Sequence, residues 1–221
     1  MLRTQTAQET PIIDTAGKFS SSNVEGALLE LSPILGSGNT VSGTNAAALS
    51  GNGNTASGTN SVVSGENGNT QGLMDSRVLA SAQFAAGAPA QYIEVVLSKI
   101  ATAAIAATLT ADRNAASANN VLALPNNTSM TVFGHAVARD TSTNDTAGWS
   151  FTAVIRRGAN AAATALVAAA TVTVIAADAG AVSWVLAVTA DTTLGALKIT
   201  IRGEAGKTID CTAVVRAVQA S

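Results

Sequence analysis

Gly36-Ser-Gly-Asn-Thr-Val-Ser-Gly-Thr-Asn45 is followed, after a small apolar run, by Gly51-Asn-Gly-Asn-Thr-Ala-Ser-Gly-Thr-Asn60. A third, partial copy runs Glu66-Asn-Gly-Asn-Thr70. The register is 15 residues: it aligns Gly38, Gly53 and Gly68, then Asn39, Asn54 and Asn69, then Thr40, Thr55 and Thr70. Gly-Asn-Thr is followed by Gly-Thr-Asn within each of the two full copies. A fixed period of this size predicts a solenoid, or β-roll, because each repeat can stack on the next and bury a shared interior. The Gly-Asn pairs Gly38-Asn39, Gly53-Asn54 and Gly68-Asn69 supply the repeat turns at low steric cost. The runs Ala46-Ala-Ala-Leu49 and Ser61-Val-Val63 supply short strands. A flexible Gly/Ser/Asn linker is the competing reading. Linkers need composition but not phase, so the strict register favours the solenoid. A coil this narrow is expected to leave Val41, Leu49, Val62 and Val63 under-buried. Three chains sharing one inner core would cover them, so a homotrimer is expected.

Downstream, residues 74–221 alternate between apolar and polar. The pattern is clear in Ser129–Arg139, Gly148–Arg156, Val182–Val188, Ala196–Arg202 and Thr208–Val218. Leu124-Pro-Asn-Asn127, Asp140–Gly148, Asp178-Ala-Gly180, Asp191-Thr-Thr193 and Gly203-Glu-Ala-Gly206 separate the runs as turns. Many short strands predict an antiparallel β-sandwich, jelly-roll-like in its organisation. Residues 101–118 have a helical composition. Their Thr108–Arg113 and Asn119-Asn120 punctuation favours strand–loop–strand instead. Residues 158–177 carry no charge, but their Ala/Thr content and Thr171-Val-Thr-Val174 alternation predict a pair of strands, not a membrane helix.

Upstream, Ser22 and Glu25 fit a capping box that opens a short helix, and Pro33 stops it. Between them Val24, Ala27, Leu28 and Leu31 share one helical face. A helix of about ten residues is not stable alone in water, so this face needs a partner. The expected organisation is therefore all-β with one small helix. Residues 1–33 form an N-terminal attachment segment, 34–73 the repeat spacer and 74–221 the sandwich.

Composition narrows the function. The 221 residues are 47% hydrophobic but only 3% aromatic and 12% charged, about half the usual charged share. Net charge is −2 and no basic run occurs, which argues against nucleic-acid binding. No secretory signal is visible at the N-terminus, and no membrane association is expected. The single cysteine, Cys211, excludes an intrachain disulfide; its alternating context predicts a small buried or half-buried residue. His135 is the one histidine, in mid-strand, and no nucleophile elbow accompanies it. Asp140, Asp145, Asp178 and Asp191 are spaced as turn formers and not as a catalytic carboxylate pair. Gly51–Ser57 lacks the lysine of a phosphate loop. No active site, metal or cofactor is expected. Trp149 and Trp184 alternate with apolar residues and are expected in the core.

Ile13-Asp-Thr-Ala-Gly-Lys-Phe19, leading into Asn23-Val-Glu-Gly-Ala-Leu-Leu-Glu-Leu31, resembles a short segment common in phage tail fibres and other phage appendages. The Gly/Asn/Thr repeats resemble the β-roll heads of trimeric autotransporter adhesins and similar spacers in phage fibres. The autotransporter pattern departs here in lacking a signal peptide and a C-terminal anchoring barrel segment. Leu122-Ala-Leu-Pro125, Ile155–Asn160 and Gly203–Lys207 resemble parts of phage fibre terminal domains. These resemblances imply a structural virion protein, a trimeric tail fibre or appendage subunit docked to other virion proteins by its N-terminus. A capsid-decorating head fibre shares every one of these features. A tip binding host surface glycan is the third reading, and a depolymerase the least supported. Tail and head attachment stay open.

Overall fold

The computed structural model describes residues 36–85 and 88–221. The expected helix face of Val24, Ala27, Leu28 and Leu31 lies outside them.

The repeat folds as its period predicts. Strand β1 (Thr40–Val41) pairs in parallel with β3 (Thr55–Ala56), placing Thr40 opposite Thr55 and Val41 opposite Ala56. Strand β2 (Ala47–Ala48) pairs in parallel with β4 (Val62–Gly65), placing Ala47 opposite Val62. Each partner lies one repeat further on, so one repeat is one coil. Strand β4 then pairs in parallel with β5 (Ser76–Ala85), Val62 opposite Arg77. The parallel stack therefore continues across residue 73 into the antiparallel part of the molecule.

Strand β5 turns back against β6 (Ala88–Ala101). After β7 (Ala107–Thr108) come the long strands β8 (Thr128–Asp140) and β9 (Thr146–Arg157), then β10 (Thr164–Leu166) and β11 (Thr171–Ala177). The chain ends with β12 (Val185–Asp191), β13 (Ala196–Arg202) and β14 (Ile209–Ala220). The large sheet has nine strands in the order β2-β4-β5-β6-β14-β8-β9-β10, and β11 also pairs with β9. A small sheet, β12-β13-β7, covers its inner face.

Side-chain parity explains the layering. In β8 every second residue, from Thr128 to Asp140, is buried and the alternate ones are exposed. Strands β9 and β14 show the same parity with Trp149, Phe151 and Ile155 and with Ile209, Cys211 and Val215. Leu197, Ile199 and Ile201 of the small sheet close the core from the other side. The sandwich is thus all-β and unequal, nine strands against three. It differs from a jelly roll, which sets two four-stranded sheets face to face. The physical reason is that β4 and β5 extend the large sheet with the solenoid, while the small sheet gains only the two-residue β7.

Residues 101–118 form the end of β6, a loop and β7, and residues 158–177 form a 3-10 turn at Ala161–Ala163 followed by β10 and β11. No described helix is long and apolar enough to cross a membrane. The run at Val182–Val188 begins as a turn, and its strand starts at Val185.

Candidate functional site

The repeat zone is held by a ladder of asparagines. Asn54 is fully buried: its Nδ2 donates to the Ser50 and Gly65 carbonyls at 2.8 Å, and its Oδ1 accepts from the Gly68 N–H at 2.8 Å. Its own N–H donates to Asn39 Oδ1 at 2.9 Å, and Asn39 Nδ2 donates to the Gly51 carbonyl at 3.0 Å. A second, exposed ladder runs through Asn45, Asn60 and Asp75, joined by amide donation at 3.2 and 3.0 Å. All three hold left-handed φ near 55°, where Asn and Asp are tolerated best among residues with side chains.

The sequence register slips in the third copy. Gly38 and Gly53 share φ +66°, but the corresponding left-handed residue of the third copy is Asn67 at +58°, not Gly68. Gly68 instead takes the place of Asn54, and Asn69 bridges to Thr55 as Thr55 pairs with Thr40. The cause is length: five residues separate Asn60 from Gly65 inclusive of the glycine, where six separate Asn45 from Gly51. The turn at Gln71 and Gly72, both left-handed, restores phase before Asp75.

Stacking on β5 also changes which residues the coil can bury. Val63, placed opposite Val78, is fully buried within one chain, which corrects the expectation that the coil could not bury it. Val62 is half-buried, while Val41 and Leu49 remain exposed.

Three glutamine side chains and the Asn69 backbone tie this coil to the sheet. The Asn69 N–H donates to Gln91 Oε1 at 2.9 Å, and Gln91 Nε2 donates to the Asn69 carbonyl at 3.0 Å and to Gln219 Oε1 at 3.1 Å. Gln71 Nε2 donates to the same Gln219 oxygen at 2.9 Å. Gln91 and Gln219 are buried, and sequence reasoning missed both. The available signal was parity: Gln219 continues the inward series Cys211, Ala213, Val215, Ala217. Beside this network lies a cavity of about 390 Å³ lined by Asn69, Gln71, Pro89, Leu124, Pro125 and Arg157. Arg157 Nη1 donates to the Leu124 carbonyl at 2.6 Å.

The other expected residues are dispersed. His135 is exposed on the outer face of β8, whereas Asp140 is buried on the inner face, so the two cannot form a dyad. The Ser142 N–H, with the Thr143 and Ser142 hydroxyls, holds the Asp140 carboxyl below the usual range. Asp178 accepts from the Thr146 N–H, and Asp191 from the Thr193 and Leu194 N–H groups. Asp140 and Asp191 thus shape their own turns, whereas Asp178 ties its turn to the start of β9. Burial pushes the Cys211 thiol up to about 12. Trp149 and Trp184 are both buried. Among the described residues no three of His, Cys, Asp and Glu converge on a metal-sized space.

Asn54 carries the first prediction. Asn54→Ala removes three side-chain hydrogen bonds and leaves the Ser50 and Gly65 carbonyls and the Gly68 N–H without that partner in a buried coil. The expected loss is about 2–4 kcal/mol in denaturant unfolding. A loss below about 0.5 kcal/mol, the size of an ordinary surface substitution, would mean that the ladder does not hold the coils together.

No family model matches the chain, and no curated protein matches it. Among solved structures, the tailspike protein of Acinetobacter baumannii phage AM24 is similar at 10% identity with a TM-score of 0.28, over 72% of this chain and 33% of that one. The chain thus spans about a third of that tailspike's length, and a likeness of this grade decides neither fold nor function.

Proposed function

We propose that this chain is a non-enzymatic structural subunit of a bacteriophage virion: a trimeric tail fibre or appendage part docked through residues 1–33. The observation that carries the reading is the fusion of a 15-residue solenoid to a terminal sandwich through one continuous sheet. Such an arrangement makes a stiff spacer with a folded tip, because the coil-to-coil hydrogen bonds run straight into the β5–β6 pairing. The appendage-like segment at Ile13–Leu31 supplies the docking element in this reading. Its partners are other copies of the chain and neighbouring virion proteins of tail or capsid.

The glycan-binding alternative loses its best platforms. Both tryptophans are buried, and Tyr92, the chain's one tyrosine, is half-buried.

Deletion of residues 1–33 tests the proposal. The truncated protein is expected to stay soluble and β-rich by circular dichroism, and to be absent from purified particles. Incorporation at the wild-type level would contradict the docking role. Imaging particles labelled at the C-terminus then separates tail from head attachment.

A further inference from the structure

The outer face of the large sheet carries an apolar band where a solvent-facing sheet is normally polar. Leu79, Tyr92 and Val218 stand side by side across β5, β6 and β14. Val96 and Val137 lie further along the same face, and Phe133 sits opposite Arg216. Exposure is 59% for Leu79, 46% for Val96, 36% for Phe133, 51% for Val137 and 54% for Val218. Together these side chains present on the order of 500 Å² of apolar surface, at the upper end for a monomer and over half of the roughly 800 Å² that one partner gives to a stable interface. The patch does not stop at the sandwich. Leu49 and Val62 of the solenoid line a groove with Leu79 and Tyr92, so the solenoid flank and the sheet face are continuous.

Charge says what kind of partner fits. Arg216 Nε donates to Glu94 at 2.9 Å, and the guanidinium holds the Glu94 carboxyl below its usual range. Asp210 lies opposite Arg139 in register. Arg77 is also in register with Glu94, so the centre of the face holds one formed ion pair and a single surplus cation, little to attract a strongly charged partner. A surface of this same composition is the match: apolar rows meet apolar rows, and the Glu94–Arg216 pair is already formed before they meet.

We propose that this sheet face is where copies of the chain meet, three such faces turned toward a common axis. The inference rests on the trimeric reading above and moves its shared core from the solenoid interior to the sheet face. That shift is grounded in Val63, which one chain already buries by itself.

The test is sedimentation of the full chain and of a V96K/V218K variant. Wild type is expected at about three times the 21.9 kDa chain mass and the variant at 21.9 kDa, with an unchanged far-UV dichroism spectrum. A trimeric wild type whose V96K/V218K variant is also trimeric would overturn the face and leave the trimer standing. A monomeric wild type would overturn both. V174K on the exposed edge strand β11 is the competing surface: dissociation by V174K alone moves the interface to that edge and rejects the proposal. Should V96K/V218K fail to fold, V96T/V218T keeps the β-branched shape. It is expected to raise the concentration needed for assembly at least tenfold, and no change there would also reject the face.

Discussion

Trp149→Ala is expected to lower the stability of the sandwich by about 3–5 kcal/mol, through lost transfer energy and the cavity left behind. Trp149 stands on the inner face of β9, between Ala136 of β8 and Val174 of β11, with Phe151 two residues on. The neighbours are small. Ala136, Ala138, Ala147 and Ala153 all share this buried layer, so the indole supplies bulk that no adjacent side chain can replace by shifting. In a chain with 3% aromatics, few other residues carry comparable area. Denaturant unfolding followed by far-UV dichroism gives the number. Tryptophan fluorescence gives an independent check: blue-shifted emission, poorly quenched by acrylamide, is expected for both tryptophans. A loss below about 1 kcal/mol, with easily quenched emission, would mean that the ring faces solvent and would restore it as a sugar platform.

The same parity that buries Trp149 explains what could be read from the sequence. Strands β8, β9 and β14 were legible because their outer residues are largely polar, as with Ser129, Thr131, His135 and Arg139 opposite Met130, Val132, Ala136 and Ala138. Strand β6, the longest, was not. Its segment Tyr92-Ile-Glu-Val-Val-Leu97 places Ile93, Val95 and Leu97 inward but also Tyr92 and Val96 outward, so the period of two is blurred. The apolar outer face that hides the strand is the face assigned to self-association. Leu79 of β5 obscures its strand in the same way. The glutamine network was hidden for the opposite reason. A polar residue at an inward position looks like the end of a core strand, and only the partner across the sheet shows that Gln91 donates to Gln219. The coil slip at Gly68 escaped because the letters Gly-Asn-Thr repeat in register while the left-handed backbone positions do not.

The repeat zone carries the other large expectation, at Gly51. Gly51 has φ +82°, and a Cβ built there would lie 1.6 Å from the Gly65 carbonyl oxygen of the next coil. Gly206 has nearly the same φ, +80°, with nothing within 4 Å of such a Cβ. The two alanine substitutions therefore share the cost of a left-handed side chain, about 1–2 kcal/mol. Only Gly51→Ala adds an overlap with backbone, which no rotamer change relieves. The coils must separate, and that motion breaks the adjacent hydrogen bond from Asn54 Nδ2 to the Gly65 carbonyl. Gly51→Ala is therefore expected to cost at least about 2 kcal/mol more than Gly206→Ala, the scale of an orphaned buried polar group added to the strain. Because a solenoid unit contacts mainly its neighbours, the damage should concentrate in the coils. Hydrogen exchange is the suitable readout: amides such as Thr55 and Thr70, which donate from coil to coil, should lose protection, while those of β8 and β14 keep theirs. Equal costs for the two glycines, with coil amides still protected, would mean that Gly51 and Gly65 are not stacked, and the coil-on-coil geometry would have to be abandoned.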